Sequence, residues 1–381
     1  MRAGLLLLKS VLFTLLHFVT GSLTAQQQYT ISPHAMGSIS SALSESSGIV
    51  VTAPNKIWSL NDSGNPNKIF CIDTNGVVNR SITISNAENN DWEDMALDAA
   101  GNLYINDAGN NNNERHNLKI LKLPNPDLIA GETAEAEIIN FVFEDQNAFP
   151  PPQTNRNFDI EAIINRFGYL YLFTKNRSTP QNGWCKMYRL PATAGSYTAS
   201  LQDSINLGNN NDDARVAAAD INPQTGELVL LTATRLISFT NYVGDRFFNG
   251  NKTIYNFATE QGQIEAIHFY DDKKLYMTEE ASSNQAGKIY RIDIGVLSSI
   301  STTEAENKFK LFPNPSNGEF KLELPIPGSF STRLFSGTGK LINTFNIENG
   351  SQLQLQHLPA GSYILLIDLP DGTTQKRFVI H

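Results

Sequence analysis

Carboxylates recur in this chain at a spacing that can gather them into one site. Asp91 and Glu93, Asp159 and Glu161, and Gln263 with Glu265 stand two residues apart, each set just ahead of a short apolar run. Residues two apart on an extended strand face the same side, so each pair presents both side chains in one direction. A second polar group follows later runs: Asn61 and Asp62, Asn106 and Asp107, Thr174 to Asn176, and Thr278 with Glu279. Acids crowded around one opening cannot all stay charged; repulsion raises some pKa values, or a cation neutralises them. Hard oxygen donors without His or Cys favour Ca2+ over zinc or copper. Asp62, Asp91, Glu93, Asp107, Asp159, Glu161 and Glu265 are therefore the candidate Ca2+ ligands, and Glu93, Glu161 and Glu265 the candidates for acid–base chemistry.

A plainer reading competes with this one: a Glu repeated at one position can simply accept backbone N–H bonds from a neighbouring sheet. His116 and His268 each stand alone, and no Ser-His-Asp set or nucleophile elbow is present. The Asn-rich stretches 110–113 and 209–213 are expected to be solvated loops. Tyr104, Tyr171 and Tyr276 recur where flat side chains fit between sheets, so they are expected to be core rather than a sugar platform.

The elements that must position these residues follow from a repeat. Five steps align: Ser47-Gly48-Ile49, Glu93-Asp94-Met95, Glu161-Ala162-Ile163, Ala217-Ala218-Ala219 and Glu265-Ala266-Ile267. Each is followed by two further runs rich in Val, Ile, Leu and Tyr, broken by Gly, Asn, Asp and Pro, and most by a weaker fourth. Such runs read as strands joined by turns. Four short strands repeated at about fifty residues predict an all-β fold, a β-propeller of five blades. A sixth blade would have to lie between Glu93 and Glu161, and an open β-sandwich is the competing architecture. The segment 29–39 is expected to supply the outer strand of the last blade and close the ring. In a propeller the first strand of each blade lines the channel and the second runs back beside it, which brings both polar groups to one mouth.

Composition narrows the partners. The 381-residue chain carries a net charge of −9, and taking away Arg2 and Lys9 with a leader leaves −11. No basic patch is present, which argues against nucleic acid and anionic membranes. The two cysteines, Cys71 and Cys185, fall on third strands of non-adjacent repeats and are expected to be buried free thiols. Residues 1–25 read as a secretory signal, with a basic start and an apolar run too short for a membrane anchor. The propeller is placed at 29–295, a Ser/Thr/Glu/Asn-rich linker at 296–307, and a separate small β-sandwich at 308–381.

The last module carries a resemblance. Phe312-Pro313-Asn314-Pro315, Asn317-Gly318, Gly339-Lys340, Leu358-Pro359-Ala360-Gly361-Ser362-Tyr363 and Lys376-Arg377 resemble the C-terminal sorting domain of type IX secretion cargo. The resemblance implies contact with that secretion machinery and passage through the outer membrane of a diderm bacterium, to the medium or the cell surface. Ser47-Gly48-Ile49, the stretch from Trp58 to Asn65 and the Glu-Ala-Ile steps are similar to extracellular propellers related to phytase-like esterases and NHL-type repeats. That similarity implies a Ca2+-dependent phosphoesterase, for which Lys175 and Arg177 are the basic candidates. The sequence thus points to an exported propeller that binds a small-molecule or glycan ligand, with Ca2+ at its mouth. The alternative is a Ca2+-dependent hydrolase, a phosphoesterase before a glycosidase.

Overall fold

The computed structural model describes residues 27–295, 309–324, 326–336, 341–369 and 372–381. The expected signal segment and linker lie outside the described residues. The apolar runs form strands, and the fold is all-β with only single-turn helical pieces such as Asn211–Ala214.

Five antiparallel meanders follow one another. The first is Ser46–Ala53, Lys56–Asn61, Lys68–Ile72 and Val78–Ile84. The second is Met95–Leu97, Leu103–Asp107, Lys119–Leu123 and Glu137–Phe143; the third is Ile160–Arg166, Tyr169–Thr174, Trp184–Pro191 and Gly195–Asn206. The fourth is Ala218–Ile221, Leu228–Leu231, Arg235–Thr240 and Asn251–Phe257. The fifth has three strands of its own, Ile264–Asp271, Lys274–Glu279 and Lys288–Asp293, and takes its fourth from the other end of the chain. That strand is His34–Ser38, antiparallel to Lys288–Asp293 with Ala35 opposite Tyr290. The segment 29–39 therefore closes the last sheet, as its sequence suggested. Gln27–Ile31 adds a parallel strand outside the fourth meander.

The long interval between Glu93 and Glu161 is used differently. Its short strand Thr133–Ala134 pairs with the first meander, and Glu137–Phe143 pairs in parallel with Gly195–Asn206. The second and third meanders thereby merge into one eight-stranded sheet.

The inner strands meet in order around a ring, and that of the fifth meander packs on that of the first. Space between them is small. A Cβ on Gly48 would come within 2.9 Å of the Asp94 backbone. The equivalent positions elsewhere are Ala162, Ala218 and Ala266, all fully buried. Asp94 is the exception, a buried carboxylate that reaches over its neighbours. It accepts the backbone N–H of Ile163 at 3.0 Å and of Ala219 at 3.5 Å, tying three inner strands together.

Apolar clusters fill the spaces between adjacent meanders. Tyr104 lies between the second and third, Tyr171 between the third and fourth, and Tyr276 between the fifth and first. These tyrosines are core, as expected. Cys71 and Cys185 are buried free thiols. At the C-terminus, a three-stranded and a four-stranded sheet share one apolar core that includes Phe320, Leu322, Leu365 and Phe378.

The Asn-rich loops need a correction. Asn111 and Asn112 are exposed, but Asn110 and Asn113 are buried. Asn110 donates to the Phe158 carbonyl, and the Asn113 amide oxygen accepts the Phe158 N–H at 2.9 Å. Their amides bridge the second and third meanders where no strand pairing reaches. Residues 209–212 are exposed, and the Asn210 side chain caps the single-turn helix.

Replacing Asp94 with Ala would leave the Ile163 and Ala219 N–H groups buried without an acceptor. A cost of roughly 2–4 kcal/mol is expected from two such losses. Chemical denaturation of Asp94→Ala against the wild type measures it; an unchanged midpoint would show that the carboxylate does not brace the ring.

Candidate functional site

The residue preceding each small inner position stands at the rim of the ring. Glu93 and Glu161 come from the second and third meanders, and Glu265 comes from the fifth; the first supplies Ser47 and the fourth Ala217. Asp91 and Glu93 lie just ahead of Met95–Leu97, where the chain is held by bonds between Glu93 N–H and the Asn106 carbonyl and between Gly109 N–H and the Asp91 carbonyl. Asp159 immediately precedes Ile160–Arg166, and its backbone carbonyl accepts Lys175 N–H.

Two sets of three carboxylates converge. Oxygens of Asp62, Asp91 and Glu93 lie within 4.8 Å of one another, and so do oxygens of Glu93, Asp159 and Glu161. Glu93 belongs to both, so five acids from three meanders form a continuous patch. Gly109 is part of the design: a Cβ there would come within 2.3 Å of a Glu93 oxygen and 2.6 Å of the Asp91 carboxylate. Only a residue without a side chain lets both acids lean on that backbone.

Two cations serve one half of the patch. Lys175 Nζ lies 3.0 Å from Glu161 and 3.5 Å from Glu265, an ion pair that crosses the ring from the third meander to the fifth. Arg177 reaches Asp159 at 2.5 Å and Glu161 at 2.6 Å. Asp107 belongs to neither set of three. Its carboxylate pairs with Arg115 at 3.0 Å and Lys119 at 3.4 Å and accepts Asp91 N–H.

The charges respond to these surroundings. Burial, with repulsion from Glu161 and Asp62, holds the Glu93 carboxyl well above the usual range. Burial and Asp62 push Asp91 up to about 6. Asp159 rises to about 7 because burial and Glu161 outweigh Arg177. Burial also lifts Glu265 to about 7, against the pull of Lys175, and Glu280 to about 8. Glu161 moves the other way: burial alone would raise it, but Lys175 and Arg177 together bring it below its ordinary value. The cluster thus holds an ionised Glu161 among acids that resist ionisation.

Several contributing residues escaped the sequence reading. Asp94 takes the backbone-bracing role weighed for the repeated Glu, and it was signalled by being the one charged residue at the small position of the repeat. Arg115 and Glu280 lie in loops outside the repeat pattern. Arg215, donating to the Asn176 carbonyl at 3.3 Å, brings a further cation beside Arg177. His116 stacks on Phe149, and His268 sits 3.7 Å from Asp220; neither joins the acidic patch.

Comparison with known proteins bears on the C-terminal segment. No curated protein matches the sequence. Among solved structures, PorZ of Porphyromonas gingivalis, a surface component of the type IX secretion system, is similar at 13% identity and a TM-score of 0.34, covering 88% of this chain. The present chain spans only 45% of PorZ. A Streptomyces coelicolor aldose sugar dehydrogenase gives 10% identity and a TM-score of 0.40 over 70% of this chain and 98% of its own. A Xanthomonas campestris gluconolactonase gives 12% and 0.36 over 70% and 86%. Residues 310–381 match the secretion system C-terminal sorting domain, the segment that holds the Phe312-Pro313-Asn314-Pro315 and Leu358-Pro359-Ala360-Gly361 motifs. The chain therefore carries a type IX sorting domain at its C-terminal end and is a secreted or cell-surface protein.

Proposed function

We propose that the chain is a five-bladed β-propeller, residues 29–295, carried to the cell exterior by a C-terminal β-sandwich at 308–381, and that it binds its ligand with Ca2+ held by Asp62, Asp91 and Glu93. The linker is placed at 296–307 and a cleaved leader at 1–25. One observation carries the metal reading: these three carboxylates converge, yet among the described residues no Lys or Arg pairs with any of them. Asp159, Glu161 and Glu265 already have Lys175 or Arg177 as counterions. A divalent cation with oxygen preference would offset the burial and the repulsion that raise the Asp91 and Glu93 carboxyls. Among the described residues the two clusters contain Asp and Glu alone, without His or Cys.

A second reading has its own support. Glu161, held ionised, stands beside Glu93 and Glu265, which hold protons, and such opposed carboxyls are the makings of a base and an acid. Under that reading the protein hydrolyses phosphate esters or glycosidic bonds. Glu161→Gln and Glu265→Gln should each lower turnover on a phosphate-ester and glycan panel by at least about a hundredfold. Undiminished turnover, with or without chelator, would dismiss the hydrolase.

Titration calorimetry with CaCl2 tests the metal site. Binding is expected in the wild type and should weaken about tenfold or more in Asp91→Asn, Glu93→Gln and Gly109→Ala. Absence of heat in the wild type at neutral pH, with the fold intact, would remove Ca2+ from the proposal.

The acid pKa values give a pH signature. A carboxyl whose folded value is raised binds its proton more tightly when folded, so its contribution to stability is full below the unfolded value near 4 and is lost as pH rises through the folded value. With Asp91 at about 6 and Asp159 and Glu265 at about 7, the metal-free melting temperature should fall between pH 4 and 7. Saturating Ca2+ should flatten that fall. A metal-free profile that rises over this interval would contradict the assignment.

Export has a direct check. Removing residues 310–381 should leave the product in the periplasm, read by fractionation; continued appearance in the medium would show that another segment directs passage.

A further inference from the structure

A cleft of about 430 Å3 opens on the third meander, lined by residues outside the acidic patch, between the loop 145–158 and the strands Trp184–Pro191 and Gly195–Asn206. Its most conspicuous wall is Trp184. The chain has three tryptophans; Trp58 and Trp92 are fully buried, whereas Trp184 is 44% exposed and its indole N–H bonds to nothing among the described residues. A large aromatic ring left in solvent at the edge of a cleft loses the burial that would ordinarily accompany it.

The polar lining is equally specific. Asn157 is buried in the cleft wall, where its amide nitrogen donates to the Trp184 carbonyl at 2.8 Å and so sets the strand that bears the indole. Its amide oxygen is buried without a partner. An orphan acceptor of this kind costs free energy unless a bound group or water supplies a donor. The one cation, Lys186, is fully committed: it pairs with Asp145 at 2.6 Å, accompanies Tyr188 at 3.0 Å and covers the Phe158 ring at 4.1 Å. The cleft therefore has an apolar platform and hydrogen-bonding groups with balanced charge.

We infer that this cleft is a binding subsite for a neutral carbohydrate, one or two pyranose rings, with a sugar face stacked on Trp184 and a hydroxyl donated to Asn157. The volume suits a ligand of that size. An anion would find its only cation already neutralised, and an acyl chain would bury the Asn157 oxygen and the Asp145–Lys186 pair against hydrocarbon. The inference adds a second ligand site to the Ca2+-dependent one proposed above, at separate residues, so it stands or falls independently of Ca2+.

The test uses the full secreted chain and a panel of neutral oligosaccharides: maltotriose, cellotriose, laminaritriose and N-acetylchitotriose. Because the other two tryptophans are buried, acrylamide quenching of intrinsic fluorescence reports on Trp184. At least one sugar should protect it saturably. By calorimetry the same sugar should bind about tenfold or more weakly to Trp184→Ala, retain affinity in Trp184→Phe, and bind unchanged in chelator. Failure of every sugar to protect Trp184, undiminished binding to Trp184→Ala, or selective protection by an aromatic dipeptide instead would overturn the assignment.

Discussion

The molecule depends on how closely the five inner strands approach one another. At Gly48 there is no room even for a methyl group against the backbone of residue 94, and Ala162, Ala218 and Ala266 are buried to the last atom at the matching positions. Close packing of edges leaves backbone N–H groups that must find acceptors across the gap. Side chains from neighbouring meanders supply them. Asp94 accepts from Ile163 and Ala219, and Asp220 accepts the Phe269 N–H at 2.7 Å. Asn106 donates to the Ile160 carbonyl, and Ser46 donates to Thr278 where the last sheet meets the first. The ring is thus held by polar contacts at its centre and apolar clusters farther out.

The same closeness creates the acidic patch. A residue one step before the small position cannot turn inward, so it stands at the rim, and rim residues of adjacent strands are forced within a few ångströms. Three of the five are glutamates. Their mutual repulsion is a consequence of packing geometry, and Lys175 and Arg177 answer only part of it.

Much of this was legible in the sequence because a repeat converts one local pattern into a global arrangement. Small-apolar steps at regular spacing announce inner strands, and an orphan strand near residues 29–39 announces closure by the opposite terminus. Spacing says nothing, however, about which partner a polar side chain chooses. Asn110 and Asn113 look like solvated loop residues by composition, yet their amides bond into the third meander. Asp107 has the same local signature as Asp62, but Arg115, eight residues farther on, folds back to take its charge. Asp94 was readable only as a departure from the repeat. The Trp184 cleft is built from loop 145–158 and the two outer strands of the third meander, a combination without sequence period.

The fourth meander shows why the patch is lopsided. Where its neighbours place glutamate, it places Ala217, and from its preceding loop comes Arg215. Together with Lys175 and Arg177 of the third meander, this gives one sector of the rim three basic groups. The first and second meanders contribute Asp62, Asp91 and Glu93 with none in contact. Coulomb attraction at such partly buried separations is several-fold stronger than in water, so the two sectors cannot average out by screening. Burial raises the Glu93 carboxyl, and also those of Asp159 and Glu265 despite their contacts with Arg177 and Lys175, whereas Glu161, caught between both cations, stays charged. The rim is therefore polarised by the order in which five unequal repeats follow one another around the ring. The proposed Ca2+ site lies on the side where no Lys or Arg among the described residues pairs with the carboxylates.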